Sequence, residues 1–156
     1  MSTAVNRIVF GRTVWANLIG ELRTRGNALK ESGAFLLARP GSRRVVRAAY
    51  YDDLDPRCLD SGYIQFDGAG YVPLSEICEG SGLRIIGDVH THPGSWTGQS
   101  QADRDHPMMA RAGHIALIVP HFARKNRFTL KGVGAYLYQG DGRWQNLGAG
   151  FRLRWI

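Results

Sequence analysis

The chain has 156 residues, 44% of them hydrophobic and 21% charged, and a formal net charge of +7. That is ordinary globular composition at a length that suits one domain with a sizeable core, expected over residues 1–156. No apolar run approaches the roughly 18 residues that a membrane span needs. The opening MSTAVNRIVFGRTVW lacks the apolar stretch of a signal peptide, so a cytoplasmic protein with no membrane partner is expected.

The surplus charge is nearly all arginine, scattered as Arg39, Arg43, Arg44, Arg47, Arg124 and Arg127 without a run of five or six. Scattered arginines read as a solvated basic surface, with a nucleic acid or an acidic protein as the sharper alternative. Cys58 and Cys78 have neither CxxC nor CxxH spacing and read as reduced thiols. The 20 glycines favour tight turns and short connections.

In chain order, residues 12–29 place Val14, Trp15, Leu18, Ile19 and Leu22 at helical spacing and predict an amphipathic helix ended by Gly26 and Asn27. ESGAFLLARP (31–40) predicts a buried strand, paired through the turn Pro40-Gly41-Ser42 with RRVVRAAYYDD (43–53). Residues 52–70 read as irregular, and VPLSEICEGSG (72–82) as a short helix stopped by Gly80 and Gly82. LRIIGDVHTH (83–92) predicts a second buried strand that Pro93-Gly94 ends. A loop to Gln99 leads to a helix from Ser100 towards Ala112, stopped by Gly113. HIALIVP (114–120) and KGVGAYLYQ (131–139) are further strands, and the turn Gly140-Asp141-Gly142 leads to a last short strand through Trp144. The fold class is α/β, in one mixed domain.

The stretch that carries chemistry is His90-Thr91-His92, then seven residues, then Ser100-Gln101-Ala102-Asp103. Residues i and i+2 of a strand share a face, so both imidazoles project together at the strand end. Asp103 falls in the first turn of the next helix. Two imidazoles and one carboxylate are a common catalytic zinc set with one position left open. Singly, each residue has a plainer reading: surface histidines, and an S-x-x-D helix cap. Jointly the pattern arises by chance in roughly one chain per several thousand, which favours a metal site.

The pattern H-x-H-x(7)-S-x-x-D resembles the signature of the JAMM (JAB or MPN+) zinc metallopeptidases. That family also has an upstream glutamate in a pattern like E-x-x-G-x-L-x-G, and Glu31-Ser32-Gly33-Ala34-Phe35-Leu36-Leu37-Ala38 is similar to it. The segment departs in having its glycine one place early and Ala38 where a glycine is usual. Glu21, inside the predicted helix, is the nearby rival. The resemblance implies a curved, mostly antiparallel sheet flanked by helices, with cytidine-deaminase-like layering. It implies one Zn2+ per chain on His90, His92 and Asp103, with Glu31 as general base and Ser100 steadying the developing oxyanion. Thr91 replaces a commoner serine.

The implied reaction is hydrolysis of a peptide or isopeptide bond after the C-terminal glycine of a ubiquitin-like protein, with E1- or E2-like proteins as further partners. The chain looks like the small prokaryotic JAB proteins. Alternatives are an amide hydrolase acting on a sulfur-carrier protein, a non-catalytic MPN scaffold, and a DNA-associated RadC-like protein. Nucleic acid is not the expected partner. His106 is read as helix surface with a possible reach to the site, His114 and His121 as flanking a core strand, and Trp96 as either a groove wall or a packing anchor.

Overall fold

In the computed structural model of the chain, residues 7–148 are described, with the backbone of 152–155; the other positions of the expected 1–156 domain lie outside them. The elements are β1 (Arg7–Phe10), α1 (Arg12–Gly26), β2 (Gly33–Ala38), β3 (Val45–Tyr50), α2 (Tyr51–Leu54), α3 (Tyr71–Ser81), β4 (Arg84–Thr91), α4 (Gln101–Asp105), β5 (Ile115–Val119), β6 (Gly134–Gly140), β7 (Arg143–Asn146) and β8 (Arg152–Trp155).

β2 is the spine. All six of its residues, GAFLLA, are buried, as expected of a strand covered on both faces. Its side chains alternate. Ala34, Leu36 and Ala38 join Trp15, Leu18, Ile19 and Leu22 of α1 in one core. Phe35 and Leu37 join Tyr51, Leu54 and Leu74 in the other. The helices therefore cover opposite faces of one six-stranded sheet, ordered β3-β2-β4-β5-β6-β7. Only β4 and β5 run parallel in it; the remaining pairs are antiparallel, as expected.

Local chemistry sets the boundaries. Asn27 adopts a left-handed conformation that ends α1, and Gly82 does the same for α3. The predicted strand 43–53 stops at Tyr50, because Tyr51 turns inward to complete burial and opens the one-turn helix α2. The predicted helix from Ser100 to Ala112 stops at Asp105. Pro107 excludes helical backbone from His106, which lies at φ −127° and ψ 67°. β1 and β8 were not expected; they pair with each other in parallel as a separate two-stranded ribbon. No described helix is long and apolar enough to cross a membrane.

One register shift matters for function. Leu36 pairs with Gly87 and Leu37 with Ile85, leaving Ile86 as an extra residue in β4. Such a bulge changes which face the following side chains use. Ile85 packs with the α3 core and Ile86 with the α1 core. Beyond the bulge Asp88 and His90 return to the α3 side, where both line a cleft.

Gly33 lets β2 approach β4 and Tyr51 closely. A Cβ there would lie 2.4 Å from the Tyr51 ring and 2.7 Å from the Val89 carbonyl oxygen. Overpacking of this kind costs about 1–3 kcal/mol. Gly33→Ala is expected to lower the urea midpoint clearly. Gly20→Ala, at a helical position with nothing within 4 Å, is expected to raise it slightly. An unchanged midpoint for Gly33→Ala would show that the β2–β4 approach is slack.

Candidate metal centre

The site begins where β4 ends. Thr91, fully buried, donates its backbone N–H to the Ser32 carbonyl at 3.0 Å and accepts from the Ser32 N–H through Oγ1 at 3.0 Å. This clamp leaves His90 and His92 on the cleft side, both more than nine-tenths buried. Their Nε2 atoms lie 3.1 Å apart. His92 Nδ1 faces the Trp96 carbonyl at 3.2 Å. A carbonyl only accepts, so Nδ1 carries a proton and Nε2 is the ring nitrogen that faces the site. His92 is held further by backbone bonds to Val119 and Phe122, the latter in a left-handed turn at His121, Phe122 and Ala123.

Asp103 arrives through a reciprocal cap. Ser100 Oγ accepts from the Asp103 N–H at 3.0 Å, and Asp103 Oδ2 accepts from the Ser100 N–H at 2.9 Å. The cap fixes the carboxylate in the first turn of α4. Asp103 Oδ1 stands 3.4 Å from His90 Nε2, and Oδ2 stands 3.3 Å from His92 Nε2. A tetrahedral ion with bonds of about 2.0–2.1 Å has ligand atoms ~3.3–3.4 Å apart. The two imidazole nitrogens, 3.1 Å apart, are spaced close to one such edge, and the Asp103 carboxylate turns one oxygen to each of them. Among the described residues, this is the group of histidine, cysteine and acidic side chains that could hold a metal ion.

The electrostatics separate the two carboxylates. Burial works to raise the Asp103 pKa, but the adjoining imidazoles of His90 and His92, with the Ser100 N–H, hold it well below the usual range. Asp103 therefore stays ionised, the form in which a carboxylate can hold a metal ion. Burial pushes the Glu31 carboxyl up, against the pull of His90 and His92. Glu31 lies two residues before β2, its backbone N–H bonded to Gly62 at 3.0 Å and its carboxylate near the Ile64 backbone. Gly33 pairs with His90, so the Ser32–Thr91 bonds carry that register on towards Glu31 and His92.

Glu31, His90, Ser100 and Asp103 all line one cleft of about 640 Å³. The five residues singled out in the sequence thus come together. Glu21 does not; it pairs with Arg25 on α1 at 3.0 Å. The early glycine also has a reason, since Gly33 is the point of contact with Tyr51. His106 sits beyond the end of α4 and lines the cleft mouth, outside the metal-binding group. His114 and His121 flank β5 as expected. Trp96 is 62% exposed and stacks on His92 with ring centroids 5.5 Å apart. The apolar walls come instead from Phe66, Tyr71, Met108 and Trp144.

A buried network beside the site was not read from the sequence. Asp88 lines the cleft floor, accepts from Tyr51 Oη at 3.0 Å and pairs with His114 Nε2 at 2.6 Å. The available signal was a carboxylate inside the apolar run LRIIGDV, which needs partners once buried. It could not name them.

Ser100→Ala removes half of the cap and is expected to destabilise the chain by ~0.5–2 kcal/mol in chemical denaturation. Replacement by Asn, which can also cap, is expected to recover most of that loss. Equal stability of wild type and Ser100→Ala would show that the cap does not hold α4.

No protein-family model matches the sequence. Solved structures do resemble it. The protein DSY2949 from Desulfitobacterium hafniense superposes with a TM-score of 0.63 at 16% identity, over 96% of this chain and 92% of that one. AF2198, a JAB1/MPN domain protein from Archaeoglobus fulgidus, gives 0.54 at 13% identity over 96% of each chain. A protein from Salinibacter ruber gives 0.51 at 17% identity, covering 83% of this chain and 84% of that one. At such identities the likeness speaks for architecture alone, and the architecture is the JAB1/MPN fold.

Proposed function

We propose that the chain is a zinc metallopeptidase that hydrolyses the amide bond after the C-terminal glycine of a ubiquitin-like protein. The observation that carries the reading is the convergence of His90 Nε2, His92 Nε2 and the Asp103 carboxylate within 3.1–3.4 Å, in a cleft shared with Glu31 and Ser100. Two imidazoles and a carboxylate leave a fourth position open, the donor set of catalytic zinc. The ubiquitin-like substrate rests on the resemblance of the H-x-H-x(7)-S-x-x-D pattern, together with the JAB1/MPN fold.

Zinc bound there supplies a polarised carbonyl and a water acidified to a pKa near ~7. The chain's own residues do the rest. Glu31, its carboxyl raised by burial, takes a proton from the attacking water as the C–O bond forms. It returns that proton to the amine as the C–N bond breaks. Ser100 Oγ uses a lone pair for the cap, which leaves its O–H free to donate to the carbonyl oxygen as negative charge develops. Neither cysteine lines the cleft, and burial, helped by Asp55 and Asp52, pushes the Cys58 thiol up to about 12.

Two variants separate the carboxylate roles. Asp103→Ala is expected to lose metal and activity together. Glu31→Gln keeps size and shape, so zinc content and melting temperature are expected near wild type while single-turnover rate falls ~10²–10⁴-fold. Loss of zinc from Glu31→Gln would make Glu31 a ligand or support, and retention of a tenth of the activity would remove it from the reaction.

The substrate assay uses a fusion cut after a ubiquitin-like C-terminal glycine. Chelation is expected to stop cleavage, and cysteine alkylation to leave it unchanged. The opposite pattern would contradict the mechanism.

A further inference from the structure

A second concavity lies at the other end of β4 from the histidines. Ala38 at the end of β2 pairs with Arg84 at the start of β4, which puts Arg39 and Arg84 together. The hairpin turn after β2 brings Arg43, and the loop entering β5 brings Arg111 and His114. These segments enclose a cavity of about 290 Å³ whose lining holds four arginines and no acidic side chain.

The charges are uncompensated. None of Arg39, Arg43, Arg84 and Arg111 forms an ion pair with a carboxylate of the described residues. Arg43 is the most constrained of them. Its Nε donates to the Arg7 carbonyl at 2.9 Å, while its Nη2 is shut off from solvent and has no acceptor. Burial and then the charge of Arg7 press against its ionised form. A buried guanidinium N–H without a partner is costly, and like charges gathered in one concavity repel. An anion in the cavity relieves the repulsion. His114 closes the floor rigidly, since its Nε2 is engaged by Asp88 at 2.6 Å.

We propose that this cavity binds a small multivalent oxyanion of phosphate chemistry. Guanidinium groups present paired N–H donors that match phosphate oxygens bidentately. The space corresponds to about ten waters at ~30 Å³ each, enough for a diphosphate or the terminal phosphates of a small ester. The arginines surround a hollow and do not form the extended stripe that a nucleic-acid backbone follows. The site is separate from the metal centre and stands whatever the reaction there is.

Calorimetric titration with inorganic phosphate and with pyrophosphate, at ionic strength matched with chloride, tests this. Wild type is expected to bind pyrophosphate saturably at one site, more tightly than phosphate. Arg84 and Arg111 are both exposed, so Arg84→Gln combined with Arg111→Gln is expected to keep the circular dichroism spectrum and weaken pyrophosphate at least tenfold. Absence of saturable binding overturns the proposal. Binding unchanged in the double variant also overturns it, because the anion then sits elsewhere, the metal centre included. If short duplex DNA at the same salt displaces pyrophosphate and binds more tightly, the surface is a nucleic-acid one and the proposal fails.

Discussion

The close approach of β2 to β4 at Gly33 and His90 governs the rest of the structure. Without a side chain at Gly33, Tyr51 packs directly over β2 and its hydroxyl reaches Asp88. The same pairing continues into the Ser32–Thr91 bonds, which orient the histidines on either side of Thr91. It also places Glu31 at the mouth of the cleft, beyond the strand end, where it is free of the sheet's hydrogen bonding. The bulge at Ile86 completes the arrangement by returning Asp88 and His90 to the α3 side. The candidate metal centre is thereby built on backbone pairing, the most rigid material a small domain has.

The two carboxylates of the site take opposite characters from their surroundings. Asp103 is pinned by a helix cap and two imidazoles and stays charged; Glu31 is pushed up by burial and lacks a fixed cationic partner in close contact. Environments that drive two titratable groups apart are the usual means of assigning ligand and proton carrier. Asp88, although it lines the same cleft, is spoken for by Tyr51 and His114 and supports the floor.

Much of the site was legible in the sequence because its information is local. An i, i+2 pair on a strand and an S-x-x-D cap are short-range patterns, and both folded as their spacing implies. The helix expected from Ser100 towards Ala112 is cut short because Pro107 constrains His106 and ends α4 after five residues. β1 escaped the sequence reading although Ile8, Val9 and Phe10 favour a strand, because its four residues pair with β8 at the far end of the chain. The Asp88 network is likewise long-range, with partners 37 and 26 positions away. Glycine one place early in the Glu31 segment was visible as a departure, but only Tyr51 explains it.

What the fold assembles is a pocket of two imidazoles and a carboxylate that could hold a metal ion, with Glu31 and Ser100 lining the same cleft. X-ray absorption at the zinc edge of the reconstituted protein examines that claim directly. The expected result is one zinc per chain with a nitrogen and oxygen shell at ~2.0–2.1 Å and the multiple-scattering pattern of two imidazoles. A sulfur shell near ~2.3 Å, or a spectrum without imidazole scattering, would contradict it.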